Sequence, residues 1–405
     1  MRFAELFIAP QSNIHEYYTQ LRETEEGVHI DSEANSVAVM RYRDVDSVLR
    51  HKEVFSSETF WSSPISIHDP VDPRQARFVE YIQNFAMFLD PPKHTRIRNI
   101  IRGALTPEAV KSMAAAISDV ADEVLAPLES GQQIDFVKQL SEQIPIKVIA
   151  HIVGVPATDE SLFRRGSLAM IDTIEPRILG EQRTAAILEA NNLIEFLDDH
   201  IAQRRAASHR PNDLLTLLLD AEDEGDRLSA DELIGMVLVL IGAGNTTTID
   251  LLGNALALLT SHPEQYRDLA SHPELVEQAI EEIVRVEPSL RWLVRKTVNG
   301  GATLGGQKIS DGTLVWICLA SANRDHRQFD QPDVFNIRRP VCRHLGFGSG
   351  IHYCLGAPLA RLEARIVIGK FLQRFQTCEL LSDGPLVYKP DFISRSLAEL
   401  PLLLG

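Results

Sequence analysis

Ser229-Ala230-Asp231-Glu232 forms a capping box, with the serine placed to accept from the N3 amide and the glutamate placed to reach back. It opens a helical run whose apolar positions, Leu233, Met236, Val237, Leu240 and Ile241, continue toward Leu259. About 30 residues at about 1.5 Å each make a rod of about 45 Å. A helix so long and so apolar has to cross the protein interior, so the chain must build a helical body around it. Midway, Ala243-Gly244-Asn245-Thr246-Thr247-Thr248 interrupts the pattern with poor helix-interior residues. A hydroxyl there can bond the carbonyl four residues back and bend or widen the helix. A packing notch for a neighbouring helix is the competing reading.

Helical periodicity dominates residues 106–286, while strand-like alternation occurs at 28–39 and again at 296–319. A last hairpin candidate covers 378–404. The expected fold is mainly α with a small β region drawn from both chain ends, in a single domain of residues 1–405. The polar segment Ala221 to Arg227 reads as a loop. Of 405 residues, 44% are hydrophobic and 24% charged, which suits a soluble globular protein. Forty basic against 56 acidic side chains leave a net charge of −16, which argues against nucleic acid as a general partner. The N-terminal residues show no signal-peptide core and no run reaches about 18 apolar residues, so a cytoplasmic protein without a membrane segment is expected. The four cysteines form no CxxC pair. Cys318 reads as a core thiol, and Cys342 and Cys378 have no assigned role.

The remaining cysteine lies in Phe347-Gly348-Ser349-Gly350-Ile351-His352-Tyr353-Cys354-Leu355-Gly356. Its glycines remove Cβ atoms, so backbone can approach a flat ring and adopt turns closed to other residues. Backbone N–H groups freed by such a turn can spread the charge of a thiolate. The segment resembles the haem-ligand loop of cytochromes P450, and the α-rich pattern resembles that fold over essentially the whole chain. The resemblance implies haem b (iron protoporphyrin IX) between the long helix and the cysteine loop, with Cys354 as axial ligand and Phe347, Gly348 and Gly356 shaping the loop. It implies that Ala243 and Gly244 let the long helix pass close to the haem, and that Thr247 donates a hydrogen bond during oxygen activation. The position before Thr247 usually carries Asp or Glu; here it is Thr246. Three consequences are open: relay through Thr246, Thr247 and water; substitution by Asp250; or preference for peroxide.

Glu282-Ile283-Val284-Arg285 resembles the family's ExxR motif, a pair one helix face wide that locks to a downstream arginine. Arg338 or Arg339 is the third member, with Arg338 preferred. Haem propionates want cationic or donor partners, and His94, Arg98, Arg295 and His352 match the family's four positions. Phe60, Trp61, Phe85 and Phe88 supply aromatics in the variable loop before His94. Further pocket candidates are Leu240, Ala243, Ser289, Leu290, Arg291, Trp292, Ile393 and Ser394. Arg291 could clamp a substrate carboxylate.

The implied enzyme is a monomeric monooxygenase of a small hydrophobic substrate, with a ferredoxin or flavodoxin-type donor and its reductase as partners. Arg96, Arg102, Arg343 and His344 are candidates for a basic docking patch. A peroxide-driven peroxygenase or atypical oxidase is the alternative, and a non-catalytic haem sensor the third reading.

Overall fold

A computed structural model describes residues 13–405 except 60–77, 79, 83, 174, 176–177, 212, 224–227 and 383. The chain forms two compact units. The first comprises Met1–Thr59, Ala121–Gln143 and Thr247–Gly405, and the second Phe60–Val120 and Ile144–Thr246. The long helix, Ala230–Ser261, belongs to the second unit up to Thr246 and to the first from Thr247. Its capping box forms as expected: the Glu232 N–H donates to Ser229 Oγ at 3.1 Å, and the Ser229 N–H donates to Glu232 Oε2 at 2.9 Å. Length and hydropathy alone would suit a membrane span, but 67% of its most apolar window is buried inside the protein, as in a core helix. The helix is not interrupted at Gly244; it stays helical throughout.

All strands among the described residues lie in the first unit. They are β1 (Val28–Asp31), β2 (Ser36–Val39), β3 (Phe55–Ser56), β4 (Gln133–Asp135), β5 (Trp292–Thr297), β6 (Ala302–Leu304), β7 (Gln307–Ile309), β8 (Leu314–Cys318), β9 (Cys378–Leu380) and β10 (Pro401–Leu404). Five of them build one sheet in the order β1-β2-β8-β5-β3. The central pair, β2 and β8, is parallel and buried on both faces, which is why both read as near-continuous apolar runs. Strand alternation sorts the side chains. Val37, Val39, Val315 and Ile317 pack with Tyr42, Val45 and Leu49 of helix Tyr42–Arg50. Ala38, Met40, Trp316 and Cys318 pack with Ile14, Tyr18 and Leu21 of helix Ile14–Glu23.

Trp292 belongs to the second of these clusters rather than to a substrate pocket. It is 1% exposed, donates its indole N–H to the Tyr18 hydroxyl at 2.9 Å, and stacks on Phe392 with centroids 5.5 Å apart. The strand starts at Trp292 and not at residue 296. The C-terminal hairpin is present, but β10 also pairs with β4, a strand inside the stretch expected to be helical. Three residues carry little local propensity; β4 exists because β10 hydrogen-bonds it.

Glu282 and Arg285 sit on helix Val276–Val286 with side chains 1% and 0% exposed. Arg285 grips the carboxylate with two N–H groups at 2.7 and 2.8 Å. Its remaining donors go to the carbonyls of Asn323, Pro332 and Val334. The third member is Arg339, not Arg338. Arg339 Nε donates to Glu282 Oε1 at 3.0 Å, and its other N–H groups hold the carbonyls of Asp330, Gln331 and Val334. Arg338 points outward and pairs with Asp268 at the surface. The two arginines are consecutive in a turn closed by the Arg339 N–H donating to the Asn336 carbonyl at 2.9 Å, so the course of residues 330–339 decides which faces the core.

In the second unit, helices Glu160–Asp172 and Gly180–Ala206 cross closely at Gly166, where a Cβ would lie 2.6 Å from Leu193 Cβ. The first half of the long helix lies on Glu160–Asp172: Gly242 sits beneath Met170, and Asn245 hydrogen-bonds Ser167. Ala221–Asp223, expected in a loop, end helix Leu214–Asp223.

Arg339→Ala is expected to lower unfolding stability by about 3 kcal/mol, because it strips a buried carboxylate of one partner. Arg338→Ala should leave the transition essentially where it was. Urea denaturation of both variants checks this; equal losses would refute the assignment.

Candidate functional site

The loop carrying Cys354 is shaped by glycines with no alternative. A Cβ on Gly346 would lie 2.4 Å from Val284 Cγ1, and one on Gly350 2.4 Å from the Leu49 carbonyl oxygen. Gly348 and Gly350 also adopt φ of +72° and +69°, the left-handed region that other residues disfavour. The loop is thereby pressed onto helices Val276–Val286 and Tyr42–Arg50. It closes with the Cys354 N–H donating to the Phe347 carbonyl at 2.8 Å. Cys354 is the one cysteine of the four that is exposed. It precedes helix Ala357–Arg374, whose N-terminal end favours an anion nearby. Gly356, the residue before that helix, has nothing within 4 Å of where a Cβ would stand. Burial pushes the Cys318 and Cys378 thiols up to about 12, so both resist forming a thiolate.

A second charge network holds this loop, and the sequence reading missed it. Arg361 grips Glu281 with two N–H groups at 2.6 and 2.8 Å. It donates to the Tyr353 hydroxyl at 3.0 Å and lies over the Phe347 ring at 4.3 Å. One guanidinium thus braces two residues, Phe347 and Tyr353, of the loop that leads into Cys354. The available signal was spacing: Arg361 follows Cys354 by seven residues and falls on the helix that starts at Ala357. His344 Nε2 meets Glu281 at 3.1 Å and is 8% exposed, so it belongs to this network and not to a surface patch. Arg96, another docking candidate, is engaged by Glu232 at 2.9 Å. Arg102 and Arg343 are exposed.

Of the expected propionate partners, two lie in the first unit. Arg295, on β5, is 8% exposed and donates to the Val294 carbonyl at 2.7 Å. His352 Nε2 shares a 2.8 Å hydrogen bond with the hydroxyl of Ser57, a partner no motif announced. The other two, His94 and Arg98, lie one turn apart on helix Lys93–Ala104 of the second unit, with His94 2% exposed.

On the long helix, Ala243 and Gly244 are exposed while Ile241, Gly242, Asn245 and Thr246 are buried, and a Cβ on Gly244 would meet nothing within 4 Å. Midway along the helix, exposure thus falls at its smallest side chains. Thr246 Oγ1 donates to the Gly242 carbonyl at 3.0 Å, a back-bond to the carbonyl four residues earlier. Thr247 is half-buried, and its carbonyl accepts from Ser289 Oγ at 2.6 Å.

Leu290 and Ile393 are half-buried in the first unit, joined through the Leu290–Ser394 bridge, and Leu240 is half-buried in the second. Phe85 and Phe88 are 4% and 8% exposed, and the Phe85 ring packs on Gly235 of the long helix. Phe60 and Trp61 lie outside the described residues. Arg291 does not present a clamp for a carboxylate. It is 1% exposed, its guanidinium donates to the Asp391 carbonyl, and its own N–H donates to the Ile393 carbonyl at 2.7 Å. A group lining an open pocket would show accessible surface, and this one shows none.

The donor set suits a haem. One exposed thiol stands among glycines at a helix N-terminus, with a cation and an imidazole in the same unit. Among the described residues no three His, Cys, Asp or Glu side chains converge on a metal position. An ion held through Cys354 would therefore have to bring its other ligands with it, as a macrocycle does.

Burial raises the Glu281 carboxyl, but hydrogen bonds from Arg361 and His344 outweigh it and hold the group lowered to about 2, from 4.5. The folded state thus binds this proton less tightly than the unfolded state. Its stabilisation is complete above about pH 4.5 and fades as pH falls toward about 2. Acid unfolding of Glu281→Gln should be flatter than wild type in that window, and identical slopes would refute the network's weight.

Residues 167–394 match the family model described as cytochrome P450. Cytochrome P450 107B1 of Saccharopolyspora erythraea is 36% identical over 78% of this chain and 76% of that protein. The polyketide biosynthesis cytochrome P450 PksS of Bacillus subtilis is 33% identical over 81% of this chain and 79% of its own length. The structure of cytochrome P450 CYP109Q5 from Chondromyces apiculatus is similar with a TM-score of 0.86 at 31% identity, covering 98% of this chain and 97% of that one. On these matches the chain belongs to the cytochrome P450 family, oxidoreductases that use haem iron as monooxygenases.

Proposed function

We propose that this enzyme inserts one atom of O2 into a small hydrophobic substrate by hydroxylation or epoxidation, with electrons from a separate ferredoxin or flavodoxin-type donor and its reductase. The observation that carries the reading is Cys354, an exposed thiol held by a backbone hydrogen bond and an arginine-braced loop before a helix N-terminus. Haem b, when bound, supplies the oxygen-activating redox chemistry. Cys354 would hold its iron, with Phe347, Gly348 and Gly356 shaping the loop around the thiol. Arg295 and His352 are assigned to propionates, as are His94 and Arg98 on their motif spacing. Ala243 and Gly244 leave the helix surface bare where the cofactor and oxidant need room. The Thr247 hydroxyl is assigned the hydrogen bond that steers a proton to the oxidant.

The family match draws on both units, so residues 1–405 are taken as one functional domain, working as a monomer in the cytoplasm. The half-buried lining candidates Leu240, Leu290 and Ile393 are apolar, and Arg291 is spent on backbone. An uncharged, largely apolar substrate follows. The polyketide assignment in one relative's name supports a secondary-metabolite scaffold.

A peroxide-driven reaction is the second reading, favoured by one observation: Thr246 replaces the usual acid, and its hydroxyl is committed to the Gly242 carbonyl.

The reduced carbon monoxide complex should show the red-shifted Soret band of thiolate ligation, and Cys354→Ser should abolish it while haem is retained. A wild-type band without that shift would overturn the assignment. Thr246→Glu separates the two readings: a tenfold or greater rise in reductase-driven turnover, about what a positioned acid supplies at minimum, would favour peroxide as the native oxidant. Arg291→Ala should leave the affinity ratio between a carboxylic acid ligand and its methyl ester unchanged in spectral titration. A selective loss of the acid would restore the clamp.

A further inference from the structure

We infer that Asp250 is the stored proton donor for oxygen activation in this chain, taking over from the acid missing at Thr246. The inference rests on the monooxygenase reading above. Asp250 follows Thr247 by three residues on the long helix, so the two are neighbours on its surface. It is 6% exposed and its side chain hydrogen-bonds the Ser396 hydroxyl, and among the described residues no salt bridge to an arginine or lysine holds it ionised. The charged groups facing it are Lys389 and Arg291, which favour its anion, and Asp391, which opposes it. Burial dominates and pushes its carboxyl up to about 8, so the acid carries a proton at neutral pH.

The surroundings tie this carboxyl to Thr247. Ser396 follows the turn at Ile393 and Ser394, which is knit to residues 289–291 by the Leu290–Ser394 bridge and by the Arg395 N–H donating to the Ser289 carbonyl at 2.9 Å. Ser289 in turn donates to the Thr247 carbonyl at 2.6 Å, and Asn254, one turn beyond Asp250, donates to the Arg395 carbonyl at 3.2 Å. The acid and the threonine therefore sit in one cross-linked patch, and the same turn reaches solvent. The Lys389 N–H donates to the Ser396 carbonyl at 2.8 Å, while the Lys389 side chain is 42% exposed.

The balance closes. Insertion of one oxygen atom into a C–H bond consumes O2, two electrons from the donor and two protons, and releases water. Asp250 gives one of those protons to the oxygen atom that leaves as water. The carboxylate left behind is steadied by Arg291 and Lys389, and it regains its proton from solvent past Lys389. Thr246, with its hydroxyl turned to a carbonyl, could pass a proton but cannot store one.

The test uses the haem-loaded enzyme. Infrared difference spectra should show a protonated carboxyl band at about pH 6 that fades above about pH 9 and is absent in Asp250→Asn, the isosteric change that cannot titrate. Glu363 is buried and is also pushed up to about 8, so Glu363→Gln identifies its separate band. Asp250→Asn should cut reductase-driven product formation by about 100-fold, divert oxygen to peroxide, and leave turnover on added peroxide nearly intact. Asp250→Glu should restore coupling, and Thr246→Glu placed in the Asp250→Asn protein should do so in part, which a merely structural residue would not allow. Unchanged coupling in Asp250→Asn, or a carboxyl already ionised at about pH 6, overturns the inference. If wild type lacks the thiolate Soret band, the monooxygenase reading falls and this inference with it. An intact band with unchanged coupling removes Asp250 alone.

Discussion

One buried carboxylate, that of Glu282, organises the scaffold beneath the cysteine loop. It is held by Arg285, Arg339 and the Asn336 N–H at 2.7 to 3.0 Å, and removing it from water is costly unless every partner is in place. That requirement converts charge into geometry. Arg285 can satisfy its donors only if the carbonyls of Asn323, Pro332 and Val334 are where they are. The Asn323 side chain then accepts from the Leu345 N–H at 2.7 Å, the Leu345 carbonyl accepts from Gly348, and the Phe347 carbonyl accepts from Cys354. A continuous series of hydrogen bonds and adjacent residues leads from the triad to the thiol. The triad does no chemistry; it fixes where the chemistry can occur.

The neighbouring residue does the complementary job. Glu281 and Glu282 are consecutive on one helix, about 100° apart around its axis, so their carboxylates leave in different directions. Glu282 secures the irregular segment before the loop, and Glu281 secures the loop and the following helix through Arg361, Tyr353 and Phe347. The loop is braced by both networks, while glycines at 346 and 350 let it lie close to its neighbours and Gly348 supplies a left-handed φ. Bulkier residues there would push the backbone out of reach of both networks.

The residues proposed for the oxygen side are small or already engaged. Ala243 and Gly244 bare the helix, and Thr246 spends its hydroxyl on the helix itself. The proposed proton donor then lies along the helix at Asp250, which unlike Glu281 and Glu282 is buried with no salt bridge among the described residues.

What the sequence determined by itself was whatever depends on nearest neighbours or fixed spacing. The capping box, the long apolar helix, the apolar runs of β2 and β8, the glycine-bracketed cysteine and the Glu282–Arg285 pair were all legible because each is a local pattern. Tertiary structure decided the rest. Arg339 rather than Arg338, Arg361 as brace, β4 as a strand, and Trp292 and Arg291 as interior anchors each depend on a partner tens to hundreds of residues away. Arg338 and Arg339 are neighbours in one turn with the same chemistry, and only the packed chain says which of them meets the buried carboxylate.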